Sequence, residues 1–442
     1  MSGSASARKT NGSSANGKPN GPNGKHRNGP VHESGPSKNG FADVELFAGA
    51  GGLTLGLAAA GLGPDHLFEQ NKHCCNTLRK NAGGSRPRIL GQIYEEDVAT
   101  VDWSRFGPVR VLSGGPPCQP FSLAGKHLAE RDDRNQFPAT LRAIRNLQPA
   151  IVLLENVPGL ARAPFRPYLE YVLRQLRYPS LAPRHRELWE EHDRRLQRFE
   201  GTAEREAEYN VCWWVLNAAD YGVAQARVRV VFVATRADLP PIDPPTPTHS
   251  RAALMRYQET GEYWRHRGLR LRRRREWPRR VHGESSSLGI HFKPWVTVRD
   301  VLAGLPEPSP DASCEDNHWL IPGARLYERH SGSELDWPAK TIKAGVHGVA
   351  GGENVLVRDD GKHRYFTLRE IARLQCFPDD YFFTGPRSRI IEQIGNAVPV
   401  DLARVLGEQL NAVLEEMESR TARQTDHRAR RAPVRWQGNR AP

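Results

Sequence analysis

Six short, almost uninterrupted apolar runs constrain the fold of this chain more than any other feature. They are DVELF (43–47), HLF (66–68), VRVLS (109–113), AIVLLENV (150–157), NVCWWVLN (210–217) and VRVVFVA (228–234). Runs of this kind are typical of parallel strands that are buried on both faces. Helical patterns lie between them, such as QFPATLRAIRNL (136–147) and PYLEYVLRQL (167–176). The succession predicts an α/β chain with an open, doubly wound sheet.

Composition divides the chain into five segments. Both ends are polar and basic, which predicts disorder, because such segments cannot bury enough apolar surface to order themselves. A charged stretch at about 180–208 predicts a helical insertion at the surface. After it, a region rich in Pro, Arg, His and Gly with little periodicity indicates a smaller, irregular domain. The predicted segments are a disordered tail (1–40), an α/β domain (41–236), the irregular domain (237–388), a helix that returns to the sheet (389–418) and a second disordered tail (419–442).

The charge of the chain favours a polyanionic partner. The formal net charge is +13, and the stretch RHRGLRLRRRREWPRR (265–280) carries nine arginines against one glutamate. Such a run predicts phosphate contacts, although a solvated arginine-rich surface helix would have the same composition. No apolar run is long enough for a membrane span, and the N-terminus lacks the apolar part of a signal peptide. With six scattered cysteines, the chain is predicted to be cytoplasmic and reduced.

A glycine-rich turn follows the first predicted strand, in FAGAGGLTLGL (47–57). Glycines here let the backbone approach a ligand, and the helix that follows offers free N–H groups. The GxGxxG pattern of dinucleotide-binding turns would place a glycine at position 54, where this chain has Thr54. The turn therefore favours a different nucleoside cofactor. Glu69 follows the second strand, where an acid can bind ribose hydroxyls, and Asp97 could accept a hydrogen bond from an adenine amino group.

Cys118 lies in GGPPCQPFS (114–122), directly after a predicted buried strand. A cysteine that only fills a core would not explain the flanking prolines and glycines. Zinc ligands come in pairs a few residues apart, and the chain has no CxxC, so no metal site is predicted. A redox role would need a resolving cysteine, and none is close in sequence. A nucleophile at the end of a strand, where catalytic loops emerge, accounts for the pattern best.

Six blocks of sequence occur in the order seen in one enzyme family. The blocks are ELFAGAGG (45–52), GGPPCQPFS (114–122), ENV (155–157), QARVR (225–229), REIARLQCFP (369–378) and IGNAVPV (394–400). In this the chain resembles the cytosine-C5 DNA methyltransferases of bacterial modification systems, over about residues 43–418. The resemblance implies a Rossmann-like methyltransferase sheet, a target-recognition domain at 237–388, and S-adenosyl-L-methionine as the cofactor.

The resemblance also implies roles for individual residues. Cys118 would add to C6 of cytosine, Glu155 would hold a proton at N3, and Arg227 and Arg229 would bind the cytosine O2 and the Cys118 loop. The implied cofactor-binding residues are Phe47, Ala48, Gly49, Gly51, Gly52, Leu53, Glu69, Gln70, Asp97, Val98, Pro116, Asn396 and Val398. The implied DNA contacts are Gln119, Ser122, Arg272, Arg273, Arg274 and Arg275.

The sequence departs from the family pattern at a few positions. Glu45 stands where Asp is more usual, Gln70 where an apolar or aromatic residue often stacks on adenine, and Ala224 where proline is common. These changes affect the expected cofactor affinity rather than the expected activity.

The predicted function is methyl transfer to C5 of a cytosine flipped out of a specific double-stranded DNA sequence. Two alternatives stay open: a tRNA cytosine-C5 methyltransferase of the same family, and a catalytically idle DNA-binding relative. The long, Arg-rich recognition region argues against the first, and the intact Cys118, Glu155 and Arg229 argue against the second. The protein is predicted to act as a monomer at the nucleoid, with a companion restriction endonuclease as a possible partner.

Overall fold

The computed structural model describes residues 41–83, 88–117, 135–202, 207–270, 292–310, 317–326, 331–344 and 354–431. Several predicted features lie outside these residues: the tail at 1–40, Cys118, Gln119, Ser122, and the arginines at 272–275. In the described part of the chain, no helix is long and apolar enough to cross a membrane.

A seven-stranded sheet forms the centre of the fold, in the order β3-β2-β1-β4-β5-β8-β6. Its strands are β1 (Ala42–Leu46), β2 (His66–Phe68), β3 (Gln92–Tyr94), β4 (Val109–Gly114), β5 (Ile151–Asn156), β6 (Tyr209–Asn217) and β8 (Val228–Arg236). The remaining strands are short: β7 (Gln225–Ala226), β9 (His249–Ser250), β10 (Lys293–Pro294), β11 (Ser333–Glu334), β12 (Ala339–Lys340), β13 (Val355–Val357) and β14 (His363–Tyr365). The α/β fold class is confirmed, and each of the six apolar runs contains a strand of this sheet.

One strand corrects the expectation of an all-parallel sheet. β8 lies between β5 and β6 and runs antiparallel to both, with Glu155 opposite Val231 and Trp214 opposite the same residue. An apolar run is equally compatible with either direction, so the pattern did not reveal the reversal. Because β8 runs the other way, its first residues lie beside the last residues of β5.

The helices cover both faces of the sheet. They are α1 (Gly52–Ala59), α2 (Lys72–Ala82), α3 (Phe137–Leu147), α4 (Arg166–Arg177), α5 (Trp189–Glu200), α6 (Arg251–Glu259), α7 (Glu262–His266), α8 (Val298–Leu302), α9 (Leu368–Leu374), α10 (Arg387–Asn396) and α11 (Val400–Arg431). Alternate residues of β5 enter two different cores: Val152 and Leu154 pack with α3 and α4, whereas Ile151 and Leu153 pack with α1 and α11. Burial on both faces explains why this strand is apolar at every position.

The insertion predicted at 180–208 contains α5, which packs on α4. It is anchored more firmly than a surface helix, since His192 and Leu196 are fully buried. His192 Nδ1 accepts a hydrogen bond from the Tyr171 hydroxyl at 2.8 Å, and its Nε2 donates to the carbonyl of Leu181 at 2.8 Å. Arg174 forms an ion pair with Asp193 at 2.7 Å across the two helices.

The predicted irregular domain contains short helices and small sheets. A cluster of aromatic residues forms a separate core there, with Tyr263, Trp264, Trp295 and Trp337. The pairing of β12 with β7 joins this region to the QARVR block, with Ala339 opposite Gln225.

The last helix differs from the prediction. α11 continues to Arg431, so a disordered tail from 419 is wrong for the backbone up to that residue. Arg, Ala and Gln favour helix, and their excess outweighed the polar composition that suggested disorder.

Candidate active site

The carboxyl ends of β1, β2, β4 and β5 surround a cavity of about 450 Å³. Ligands of open α/β sheets bind at this edge, where strand order reverses on either side of the first strand. The turn at 396–398, between α10 and α11, closes the cavity from the other side.

The glycine turn after β1 lets other parts of the backbone come close to it. Gly51 has φ +83° as the N-cap of α1, a conformation that residues with a Cβ rarely adopt. A Cβ on Gly52 would lie 2.4 Å from the carbonyl oxygen of Val398, so only glycine allows the turn at 396–398 to reach α1. Phe47 also has positive φ, at 56°, and lines the cavity.

Glu69 is fixed by backbone donors at the end of β2. Its Oε2 accepts from the N–H of Gly49 at 2.8 Å, and its Oε1 accepts from the N–H of Asn71 at 2.7 Å. Burial raises the pKa of Glu69, and these N–H groups act in the opposite direction. A carboxylate oxygen accepts more than one hydrogen bond, so Glu69 keeps acceptor capacity toward the cavity.

Glu45 is the least expected residue in the cavity wall. It is 1% exposed, and neither carboxyl oxygen has a hydrogen-bond partner among the described residues. Burial raises the pKa of Glu45 to about 8, although the nearby Thr54 lowers it somewhat. With its pKa raised in this way, the Glu45 carboxyl beside Thr54 can keep its proton and stay neutral in the free protein.

The ends of β4 and β5 are tied together beside the cavity. Asn156 Nδ2 donates to the carbonyl of Pro116 at 3.0 Å. The N–H of Gln136 donates to the carbonyl of Pro117 at 3.3 Å, so both flanks of the stretch 118–134 meet at one point. Cys118 lies outside the described residues, but its covalent neighbour Pro117 lines the cavity together with Glu155.

Glu155 and Arg229 form a buried ion pair. The Arg229 Nε lies 2.5 Å from Glu155 Oε1, and both side chains are about nine-tenths buried. A second donor of Arg229, Nη1, bonds the carbonyl of Val228 at 2.8 Å. The antiparallel direction of β8 is what brings Arg229 to the end of β5.

Arg227 is held by backbone carbonyls. Its side chain is fully buried, and its guanidinium donates to the carbonyls of Ile342, Gly395 and Ala397 at 3.1, 2.7 and 2.9 Å. Burial, with Arg229 nearby, lowers the pKa of Arg227. Arg227 is not part of the cavity wall, and its predicted contact with cytosine stays a prediction.

The structure brings most of the predicted cofactor residues together. The cavity is lined by Phe47, Ala48, Gly49, Gly52, Leu53, Glu69, Gln70, Pro116, Asn396 and Val398. Asp97 and Val98 are not among the lining residues: Asp97 accepts from the N–H of Ala99 at 2.9 Å, and Val98 is in the core. Gly51 supports the turn without lining the cavity.

The sequence did not single out several lining residues, namely Asn71, His73, Cys74, Pro117, Arg389, Glu392 and Gln393. Asn71 had a detectable signal, because its side chain caps α2 by accepting from the N–H of His73. Residues of α10 carried none, since their place depends on how the C-terminal part of the chain returns to the sheet.

Comparison with known proteins identifies the family. The family model described as C-5 cytosine-specific DNA methylase matches residues 41–178 and 190–412. The type II methyltransferase M.PspPI of Psychrobacter sp. is 31% identical over 389 residues, which cover 86% of this chain and 80% of that protein. The type II methyltransferase M.Eco47II of Escherichia coli is 32% identical over 395 residues, covering 87% and 82%.

Solved structures agree on the fold. A putative DNA modification methyltransferase encoded within an E. coli prophage matches with a TM-score of 0.51 and 21% identity, over 85% of this chain and 99% of that one. A mutant of Spodoptera frugiperda DNMT2 matches with a TM-score of 0.53 and 16% identity, over 84% and 99%. With its family model matched over most of its length, the chain belongs to the C-5 cytosine-specific DNA methylase family.

Proposed function

We propose that this methylase transfers the methyl group of S-adenosyl-L-methionine to C5 of a cytosine flipped out of a specific double-stranded DNA sequence, through a covalent bond between Cys118 and C6. The observation that carries the proposal is a single cavity with two kinds of wall. One wall is the glycine turn with Glu45 and Glu69, and the other is Pro116 and Pro117 with the ion-paired Glu155.

The first wall fits the proposed methyl donor. The donor is cationic, and Glu45 supplies a buried carboxyl with no protein partner among the described residues. Glu69 would accept from ribose hydroxyls, while Gly49, Gly52 and the turn at 396–398 leave room for the nucleoside. When bound, the donor supplies an electrophilic methyl group on a positively charged sulfur.

The second wall fits activation of cytosine. The Cys118 thiolate would form a bond to C6 while the Glu155 carboxyl gives a proton to N3, so that the ring takes up the displaced C5–C6 π electrons and becomes nucleophilic at C5. Arg229 would hold the Glu155 carboxyl in place through the observed ion pair. C5 would then take the methyl group and release S-adenosylhomocysteine. Transfer of the C5 proton to solvent with expulsion of the thiolate, and return of the N3 proton to Glu155, would restore the ring and the enzyme.

DNA is the substrate that the charge and the relatives support. Cytosine C5 and C6 cannot be reached inside a duplex, so the base must leave the stack. Gln119, Ser122 and the arginines at 272–275 would contact the DNA, with the Arg-rich run on phosphates. The relatives named above are type II methyltransferases, which supports a partnership with a restriction endonuclease. We infer a monomer that acts at the nucleoid in the cytoplasm.

Bisulfite sequencing of DNA from cells that express the protein tests the substrate. We expect methylated cytosines at one short sequence, and none in cells that express Cys118→Ala. Unmethylated DNA together with a methylated cytosine in tRNA would instead support the tRNA alternative.

Trapping with 5-fluorocytosine tests the nucleophile. Fluorine at C5 leaves no removable proton, so a duplex with this base in the target site should stay covalently bound to the wild-type protein. Cys118→Ala should bind the duplex and form no adduct on a denaturing gel. An adduct that persists in Cys118→Ala would assign the nucleophile to another residue.

A further inference from the structure

A buried cluster of polar side chains connects the recognition region to the cofactor cavity. Gln225, Arg227 and Gln375 are each fully buried. Gln225 Nε2 donates to the carbonyl of Leu374 at 3.1 Å and to Gln375 Oε1 at 3.2 Å, and Gln375 Nε2 donates to the carbonyl of Ile394 at 2.7 Å. These bonds join three segments of the chain, at Gln225, at 374–375 and at Ile394.

Arg227 is the charged centre of this cluster. Its two bonds to Gly395 and Ala397 lie at the C-terminal end of α10, where the helix dipole favours a cation. None of its hydrogen-bond partners in the described part of the chain is a carboxylate. A buried cation held only by neutral oxygens is costly, so a role that needs the forked guanidinium geometry explains why an arginine is used here.

The turn that Arg227 holds is a wall of the cofactor cavity. Asn396, Ala397 and Val398 line the cavity. The turn is closely packed on both sides. The carbonyl of Val398 lies against Gly52, and Gly395 lies so near Ala344 that an added Cβ would be 2.6 Å from the Ala344 Cα. Loss of either Arg227 bond should therefore displace atoms that face the methyl donor.

The other side of Arg227 reaches the segment 339–344. Arg227 Nη1 bonds the carbonyl of Ile342, whose N–H donates to Gln225 Oε1 at 2.9 Å. The Thr341 hydroxyl donates to the carbonyl of Ala226 at 2.9 Å. This segment belongs to the predicted recognition region, so a shift caused by DNA would be transmitted to the same guanidinium.

We propose that Arg227 is a positioning residue that couples the recognition segment 339–344 to the methyl-donor cavity through the turn at 396–398. The proposal rests on the proposed function for the identity of both ligands. It gives Arg227 a role different from that of Arg229, which acts on Glu155.

Calorimetry with S-adenosylhomocysteine, a cofactor product that cannot react, tests the first half of the proposal. Without DNA, Arg227→Lys should weaken its affinity by about tenfold, since two charge-assisted bonds to the turn are lost. The matched variant Arg229→Lys should keep the affinity within about twofold while lowering turnover. Unchanged affinity in Arg227→Lys would overturn the proposal. The measurement needs no methyl transfer, and the wild type separates the two failures: no binding of S-adenosylhomocysteine to the wild type would contradict the proposed cofactor, whereas equal binding to wild type and Arg227→Lys would contradict only the role of Arg227.

The second half is tested with a duplex that carries the sequence found by bisulfite sequencing. In the wild type this duplex should tighten S-adenosylhomocysteine binding, and Thr341→Val should reduce that gain while leaving the affinity without DNA unchanged. This variant removes only the hydroxyl bond to Ala226, so it decides the question even if Arg227→Lys does not fold. Equal gains in wild type and Thr341→Val would overturn the coupling.

Discussion

At the scale of single residues, β1 carries two buried acids, of which one has a salt-bridge partner and the other has none among the described residues. Asp43 is paired in bidentate fashion with Arg110, at 3.1 and 2.5 Å, and also accepts from the N–H of Val111. Glu45, two residues later on the same strand, has no such partner among the described residues. Asp43 therefore serves the fold, whereas Glu45 lies in the cavity wall without a salt-bridge partner among the described residues.

Replacing Glu45 with Gln should stabilise the free protein at high pH and weaken cofactor binding. The folded pKa of about 8 lies above the ordinary value of 4.5, so the native state holds its proton longer than the unfolded chain does. Stability is therefore lost as pH rises from about 4.5 toward 8. In urea unfolding, the free energy of unfolding of Glu45→Gln relative to the wild type should rise by about 2–4 kcal/mol when the pH is raised from ~5 to ~8.

Asp43→Asn is the matched control for this experiment. It removes the partner of Arg110 and should destabilise the protein at both pH values. Binding of S-adenosyl-L-methionine, whose sulfur is positively charged, should weaken in Glu45→Gln even though that variant is more stable. A stability difference that does not change with pH would show that Glu45 is already ionised and has a partner.

The sequence predicted some residue roles much better than others. The positions of Glu155, Glu69 and the glycine turn followed from strand ends, because each comes directly after an apolar run. The isolation of Glu45 could not be predicted, since the pattern DVELF treats Asp43 and Glu45 alike. Which acid meets an arginine depends on the register of β1 with β4, which places Arg110 within reach of Asp43.

At the scale of elements, the α4–α5 pair depends on a neutral histidine. His192 accepts from Tyr171 and donates to Leu181, so an added proton on Nδ1 would force the Tyr171 hydroxyl to turn and accept instead of donate. Burial lowers the pKa of His192. The unfolded chain therefore takes up a proton at a higher pH than the native protein does.

His192→Gln should make stability less sensitive to acid. In the wild type, the contribution of this group is lost as pH falls below about 6.5, because there the unfolded state binds more protons. Glutamine keeps one acceptor and one donor but does not titrate. Thermal unfolding between pH ~7 and pH ~5 should show a smaller loss of stability in the variant, and the comparison removes the effect of other histidines such as the half-buried His66. Parallel curves for the two proteins would contradict this role.

The sequence predicted where strands occur better than it predicted the direction in which each strand runs. Apolar runs located most strands of the sheet, but the three-residue β3 was missed because Gln92–Tyr94 has no apolar run. The reversal of β8 follows from its short connection to β6, which suits neighbouring antiparallel strands. Since that reversal sets the place of Arg229, the site depended on a feature that the pattern did not show.

At the scale of the whole molecule, the positive charge is expected to act through the arginine run. Replacing the arginines at 272–275 with Gln should weaken binding to all duplexes alike. It should also flatten the dependence of log affinity on log salt by about 0.9 for each lost phosphate contact. If the run instead reads bases, discrimination against a one-base variant of the site should fall by about 1–3 kcal/mol.

A variant with the same charge change provides the control. Arg184, Arg186, Arg194 and Arg198 are exposed on the insertion, and their replacement with Gln removes the same charge elsewhere. Salt titrations of both variants separate a local contact from an effect of net charge. Equal slopes in the two variants would mean that the run at 265–280 is an ordinary solvated surface.

The turn at 396–398 has a consequence for how the enzyme is made. The glycine turn and Glu69 leave the ribosome early, whereas the wall that faces them is among the last parts of the ordered chain to be translated. A nascent or prematurely terminated chain that stops before Asn396 lacks one side of this cavity. We therefore expect such a chain to be inactive, because the packing of the C-terminal helix against the first one would be missing as well.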